Sequence, residues 1–586
     1  MRYCQTDARS RQPVCLAHAG LFLSCVFLVL LFAASPFCPD AAAAPQAQPP
    51  AQEAPGAENG PPDKAEAGAE ALFTYTDVRR KARLLAEHPY SPTNSEIPGF
   101  LRRLDEKQWG SIRFKEEKTL WREDNLFFTA QLFLPGFIYD RQVPVHLVEK
   151  DVARQVLFEP DMFDYADASL AEKMRDARIN FAGFRLFFPL YREGQRDEFM
   201  VFLGATYFRA IGKNSHYGLS SRGLALNTAL ADGEEYPYFA EFWLIKPQPG
   251  DTSMSVYALM DSPRMTGAYH FLISPGAATV VDVESELFQR RGSQLPAKLG
   301  LAPLCSMFLF SEAYTGARVD YRPEVHNSDG LLYTDKDNWF WRPLTNPERL
   351  AVNYFAVSNP RGFGLMQRDN SFDHYQDIRQ RFELRPSLWV EPKGDWGSGH
   401  LELIEIPSRE DIHDNILAFW VPDPPSLAAF RMAERDAAPA GAQNKADQNA
   451  PLRLAYRMYW LSPGNTPHDL GRASATRMVR VDKSDKVRFI VDFEGEALRD
   501  LPADTGLTSL LGIPEQGQVL EKSLAKNPVT GGWRLDFTVR LPEQSGVIQM
   551  LSAREEPPRM RFSAMLKKGE NLPEALTEVW VYDLSY

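Results

Sequence analysis

The sequence predicts a mainly β protein built as a large sandwich with a few helices followed by a smaller sandwich. Three observations carry this expectation. Short runs rich in β-branched and aromatic residues recur along the chain, bounded by Gly, Pro, Asn or Asp; NLFFTAQLFLP, FMVFLGATYFRAI and AYHFLIS are examples. Several alternate apolar with polar residues, as half-buried antiparallel strands do. There is no regular strand–helix alternation of the kind that marks a parallel α/β sheet.

In chain order, Arg2, Arg9 and Arg11 precede the apolar run Leu21 to Ala34, and small residues follow to Ala44. A basic start, a short apolar stretch and an alanine cluster read as an export signal, residues 1–44, cleaved near Ala43–Ala44. Residues 45–71 are rich in Ala, Pro, Gly, Gln and Glu and read as a disordered tether. Thr76 and Asp77 are candidate N-caps for a helix running to about Glu87, and helices are also expected over Glu96–Trp109 and Ala168–Ala177. The first sandwich is expected over residues 72–424. Residues 425–450, with their Pro, Ala, Gln and Asn, read as a linker. The runs LRLAYRMYWL, KVRFIVDF, WRLDFTVRL, VIQMLSARE, MRFSAML and LTEVWVYDL then space out a second sandwich, residues 451–586, of immunoglobulin-like architecture.

Four of the five cysteines lie in the expected leader, which leaves Cys305 alone in the remainder. No intrachain disulfide and no Cys-based metal site can then form. An exported chain without disulfides fits a bacterial periplasm. Cys305 sits in the apolar run APLCSMFLF and reads as a buried, inert thiol. The formal net charge of −12 disfavours nucleic acid and anionic membranes as partners. No phosphate loop, dinucleotide fingerprint, nucleophile elbow or zincin helix motif is present, so no cofactor is expected. The ten histidines show no metal-ligand spacing.

The densest chemistry lies in YRPEVHNSDG, Tyr321 to Gly330, followed by Trp339, Phe340 and Trp341. It sets Tyr321, Arg322, Glu324, His326, Asn327 and Asp329 beside flat apolar rings. Sugars need that combination, because their ring faces stack on aromatics and their hydroxyls bond to charged and amide groups. Further acids follow at Asp395, Glu402, Glu405, Asp411 and Asp414, with Trp389 and Trp396 among them. Two suitably spaced carboxylates would serve a glycosidase, whereas most isolated acids are turn and capping residues. Trp339 and Trp396 fall in Gly- and Asp-rich turns, which argues for a groove position.

These segments carry a resemblance. LDEKQWGSIRF, YRPEVHNSDG, WRPLTNP, NPRGFGLMQR, LRPSLWVEPKGDWGSG, ELIEIP, DIHDNILAFW, FIVDFEG and NPVTGGWRL, in this order from about residue 72 to the end, resemble the periplasmic glucan biosynthesis protein G/D family. The resemblance implies a sugar-binding cleft in the first sandwich, β-1,2-linked glucan as ligand and kinship with inverting endo-β-1,2-glucanases. It assigns Asp414 as general acid. Asn327 stands where the family pattern places the second catalytic acid, and an amide has no useful basicity near neutral pH. Asp329, two residues on, is the alternative base. Tyr321, Arg322, Glu324, His326, Trp339, Trp341, Arg368 and Trp396 are the expected sugar contacts. Three readings stay open: binding and shaping of glucan, its cleavage or transglycosylation, and a scaffold that docks an inner-membrane glucan synthase.

Overall fold

Along Leu452–Leu461 burial alternates residue by residue, with Leu452, Leu454, Tyr456, Met458 and Trp460 facing inward. The period of two places these side chains on one face of a strand. The computed structural model describes residues 72–92, 97–316, 320–424, 426–428, 450–481, 485–515, 517–542, 559–569 and 574–585. The expected export signal, the tether, most of the linker and the run VIQMLSARE lie outside the described residues.

The described chain is mainly β. Two large sheets face each other. One has ten strands and runs from Thr129–Phe133 at one edge, through Leu299–Ser306 and Ile416–Pro422, to Ala351–Ser358 at the other. The second has fifteen strands and includes Val145–Glu149, Tyr238–Ile245, Met265–Ser274, Thr279–Gln289 and Ser387–Pro392. One apolar core fills the space between them. Phe202 and Phe208 of the first sheet stack at 5.4 Å, and Phe271 of the second meets both edge-on at 5.2 Å. Offset and edge-to-face contacts of this kind add to simple area burial.

Leu452–Leu461 does not open the second sandwich, as the sequence reading expected. It pairs with Thr279–Gln289 on one side (Met458 opposite Val281) and with Ser387–Pro392 on the other (Val390 opposite Met458). Without it, both neighbours would present open backbone edges in the middle of a sheet. The chain re-enters the large sheet before building the smaller unit.

The smaller unit has a four-stranded sheet ordered Arg472–Val481, Lys486–Glu494, Trp533–Arg540, Gln518–Lys526. It packs on Arg559–Lys568 and Val579–Ser585, which with the edge strand Leu507–Gly512 end the fifteen-stranded sheet. Phe489 meets Phe562 at 4.9 Å and Trp580 at 5.4 Å across that core. Val579–Ser585 pairs in parallel with Trp339–Pro343, with Trp341 opposite Trp580. One continuous hydrogen-bond ladder therefore joins the two sandwiches.

The helices are short. Tyr75–Ala86 is capped by Thr74, two residues earlier than the expected cap, with Asp77 completing a reciprocal capping box. The expected helix over Glu96–Trp109 is divided into Gly99–Arg102 and Glu106–Gly110, because Asp105 starts a new cap on Gln108. Cys305 is fully buried, and burial pushes its thiol up to about 11.

Candidate functional site

The segment Tyr321–Gly330 crosses from one layer to the other, and its side chains divide accordingly. Tyr321 is three-quarters exposed at the surface. The guanidinium of Arg322 donates to Asp320 at 2.7 Å, Asp377 at 2.9 Å and Asp411 at 2.8 Å. Three carboxylates occupy its donors, so Arg322 ties three loops together and is not the free sugar ligand expected.

Val325–His326 then pairs with Phe308–Phe310. His326 is fully buried; its Nε2 lies 2.9 Å from Glu324 Oε2 and its Nδ1 2.9 Å from Gln367 Oε1. Phe308 stacks on the ring at 5.6 Å and Tyr375 meets its face at 5.2 Å. Burial opposes a charge here, but the hydrogen bond and charge of Glu324 outweigh it and raise His326 to about 9. Glu324 and His326 thus form a buried ion pair near neutral pH.

Asn327 is buried; its N–H donates to Met307 O at 2.8 Å, and its Oδ1 has no hydrogen-bond partner among the described residues. Asp329 attaches elsewhere. Its Oδ2 accepts the N–H of Arg368 at 3.0 Å and that of Asp369 at 3.1 Å. Burial raises the Asp329 carboxyl to about 6, with His326 and Arg368 pulling the other way. Asn327 and Asp329 are therefore anchored on different segments of the chain.

Asp414 lies on the loop that leads into Ile416–Pro422. Its neighbour Asn415 fixes that loop, accepting from Phe308 N at 2.8 Å and donating to Phe308 O at 2.9 Å. Asn327 and Asp414 consequently flank one backbone stretch, Met307–Phe308. Ser220 Oγ donates to Asp414 Oδ2 at 3.4 Å.

Asp414 also lines a cavity of about 380 Å³. Its wall includes Tyr207, Arg222, Thr228, Glu234, Tyr236 and Tyr238, and neither Asn327 nor Asp329 is part of it. Arg222 Nη1 donates to Glu234 Oε1 at 2.5 Å, and Thr228 Oγ1 donates to the same oxygen at 2.8 Å. The Arg222 guanidinium lies 4.8 Å from the Tyr207 ring and 5.4 Å from that of Tyr236. Sequence reading passed over this cavity. Its one signal was GEEYPYF, Gly233 to Phe239, where acids and tyrosines crowd a proline.

The remaining expected sugar contacts divide between exposed and internal positions. Trp339 is half-buried and stacks on Trp389 at 5.4 Å, with His468 at 4.5 Å. Trp396 is buried against Tyr456, not exposed in a groove, because its ring fills the large core. Trp341 is buried under Gly330, where a Cβ would come within 2.1 Å of its ring. Arg368 lies 3.5 Å over Trp341 and donates from Nη2 to Glu578 Oε2 at 2.7 Å, with a second, shorter bond from Nη1 to Oε1. Both Trp341 and Arg368 hold the two sandwiches together.

A family model described as "Periplasmic glucan biosynthesis protein, MdoG" matches residues 73–433 and 440–584. The chain belongs to this periplasmic glucan biosynthesis family. "Glucans biosynthesis protein G" of Ralstonia nicotianae is 42% identical over 488 residues, covering 81% of this chain and 92% of that protein. The protein of the same name from Pseudomonas putida is 38% identical over 493 residues, 82% of this chain and 84% of its own length. That of Dickeya dadantii is 36% identical over 524 residues, 87% and 93% respectively. Membership in the glucan biosynthesis family spans both sandwiches, so the joint at Arg368 and Glu578 falls inside the matched region.

Proposed function

We propose that this protein serves periplasmic glucan biosynthesis by binding β-1,2-linked glucan in the cavity beside Asp414 and shaping its backbone. The role in glucan biosynthesis follows from the family. The linkage and the place of binding are our reading. The observation that carries it is the wall of that cavity, where tyrosine rings stand beside Asp414 and the Arg222–Glu234 pair. Rings offer stacking faces, while fixed charged groups orient hydroxyls. Residues 1–44 act in this reading as the export signal. The smaller sandwich offers a surface for an inner-membrane glucan synthase, and co-purification that depends on it tests that partner.

Cleavage is the second reading, favoured by the position of Asp414 in the cavity. An inverting hydrolase also needs a carboxylate to activate water across roughly 6.5–9.5 Å. The amide of Asn327 cannot take that part, so binding ranks first.

Titration calorimetry with linear β-1,2-glucan tests the binding. Removing the Tyr236 ring (Tyr236→Ala) should weaken affinity roughly 2- to 10-fold, as expected for one aromatic contact, with the thermal unfolding curve unchanged. Absence of binding by the unaltered protein would refute the proposal. Equal affinity in the variant would move the site away from this cavity.

A further inference from the structure

We propose that Glu324, Asp369 and His374 form a binding site for a divalent transition-metal cation. One ligand atom from each lies within 4.8 Å of the other two. They come from two stretches of the chain, with Asp369 and His374 five residues apart and Glu324 far upstream. Glu324 precedes Val325–His326, Asp369 follows Gly362–Met366, and His374 lies in the short helix Phe372–Tyr375. A lone Asp-x4-His pair carries little signal by itself, and Glu324 lies too far upstream to be joined to it by spacing.

The supporting groups are already in place. His326 holds Glu324 Oε2 at 2.9 Å and is itself held by Gln367. Asp369 Oδ1 accepts from Ser371 N at 3.0 Å, and Tyr375 OH donates to Asp369 O at 3.0 Å. His374 Nδ1 contacts Asp369 Oδ2 directly. Outer partners of this kind orient ligands and sharpen affinity. Exposure rises from Glu324 at 7% of its side chain through Asp369 at 18% to His374 at 55%, which leaves an entry path.

A separate observation supports a cation here. Asp329 rests on the Asp369 turn through its Oδ2, yet its Oδ1 is shielded from solvent and has no partner among the described residues. The nearby guanidinium of Arg368 is engaged by Glu578. Glu324, Asp329 and Asp369 thus share His326 and His374, and shielded carboxylates call for a counter-charge. Two carboxylate oxygens and one imidazole nitrogen suit Zn²⁺ or Mn²⁺ better than a purely oxygen-loving ion, with a water filling the open position. The site does not touch the cavity beside Asp414, so it stands apart from the proposed glucan binding.

The full-length protein is stripped with EDTA, dialysed free of it and titrated with Zn²⁺ and, separately, Mn²⁺ by calorimetry. One equivalent of at least one ion should bind, and His374→Ala should weaken that binding by at least roughly 10-fold. His374 is exposed, so this variant should fold. Glu324→Gln, nearly isosteric, serves as the second variant and should weaken binding likewise. Absence of stoichiometric binding of either ion overturns the proposal, as does unchanged affinity in both variants.

Discussion

The ion pair between Arg368 and Glu578 joins the two sandwiches, and replacing Glu578 with Gln isolates its contribution. Glu578 is fully buried and also accepts from Ala473 N at 2.9 Å and His468 Nε2 at 3.2 Å. Burial alone would raise its carboxyl, but the charge and hydrogen bonds of Arg368, then those of His468, hold it at about 2. Against an ordinary value of 4.5 in the unfolded chain, that depression is worth about 3.5 kcal/mol. The folded value lies below the unfolded one. The contribution is therefore complete above about pH 5 and fades as the pH falls toward 2. Gln keeps the shape but leaves Arg368 buried without a counter-ion, which costs about 3–5 kcal/mol. Urea unfolding of both proteins at pH 7 and pH 3.5 reads this directly. The gap between them should be about 3 kcal/mol or more at pH 7 and smaller by about 1 kcal/mol at pH 3.5. A gap below about 1 kcal/mol at pH 7, or one that does not change with pH, would refute the joint as described. Replacing both partners with apolar residues should recover part of the loss, because no unpaired charge remains.

Two further predictions follow from the same segment. Asn327→Asp should yield more shortened chains from linear β-1,2-glucan than the unaltered protein, detected by chromatography; no gain in cleavage would remove the amide at position 327 as the ground for ranking binding above cleavage. Gly330→Ala puts a methyl group within 2.1 Å of the Trp341 ring and should lower stability by about 1–3 kcal/mol, read as a fall in the thermal midpoint; an unchanged midpoint would mean that Trp341 repacks freely.

The strands were legible because their signal is local. Period-two burial, aromatic content and turn residues mark Met265–Ser274 or Trp533–Arg540 without reference to any partner. Pairing is not local, which is why Leu452–Leu461 was placed in the smaller sandwich although it lies between Thr279–Gln289 and Ser387–Pro392. The same limit governed the site. Composition singled out Tyr321–Gly330, yet it could not say which of its polar groups already had partners inside the protein. Arg322 and Arg368 look alike in sequence to any guanidinium that holds a sugar. Apart from Asp320, their carboxylate partners lie 55, 89 and 210 positions away. The cavity beside Asp414 was missed for the matching reason, since its wall is gathered from stretches as distant as Tyr139 and Leu417.

Once the partners are known, one segment has two tasks. Asn327 hangs on Met307, the neighbour of Phe308, whose backbone Asn415 grips next to Asp414. Two residues on, Asp329 is bonded through Arg368 N to the residue whose guanidinium crosses to Glu578. A strand rise of roughly 3.3 Å per residue keeps these anchors within about 7 Å along the chain. A shift of the smaller sandwich at Glu578 would then be transmitted to Asn327 through Arg368, Asp329 and Ser328. Ser328 Oγ bonds Ser306 Oγ at 2.6 Å, which fixes the middle of that path to the strand that also borders Asp414. The joint between the sandwiches and the loop that carries Asp414 are therefore one mechanical unit. Loosening the joint should disturb glucan binding even though no residue of the smaller sandwich lines the cavity among the described residues.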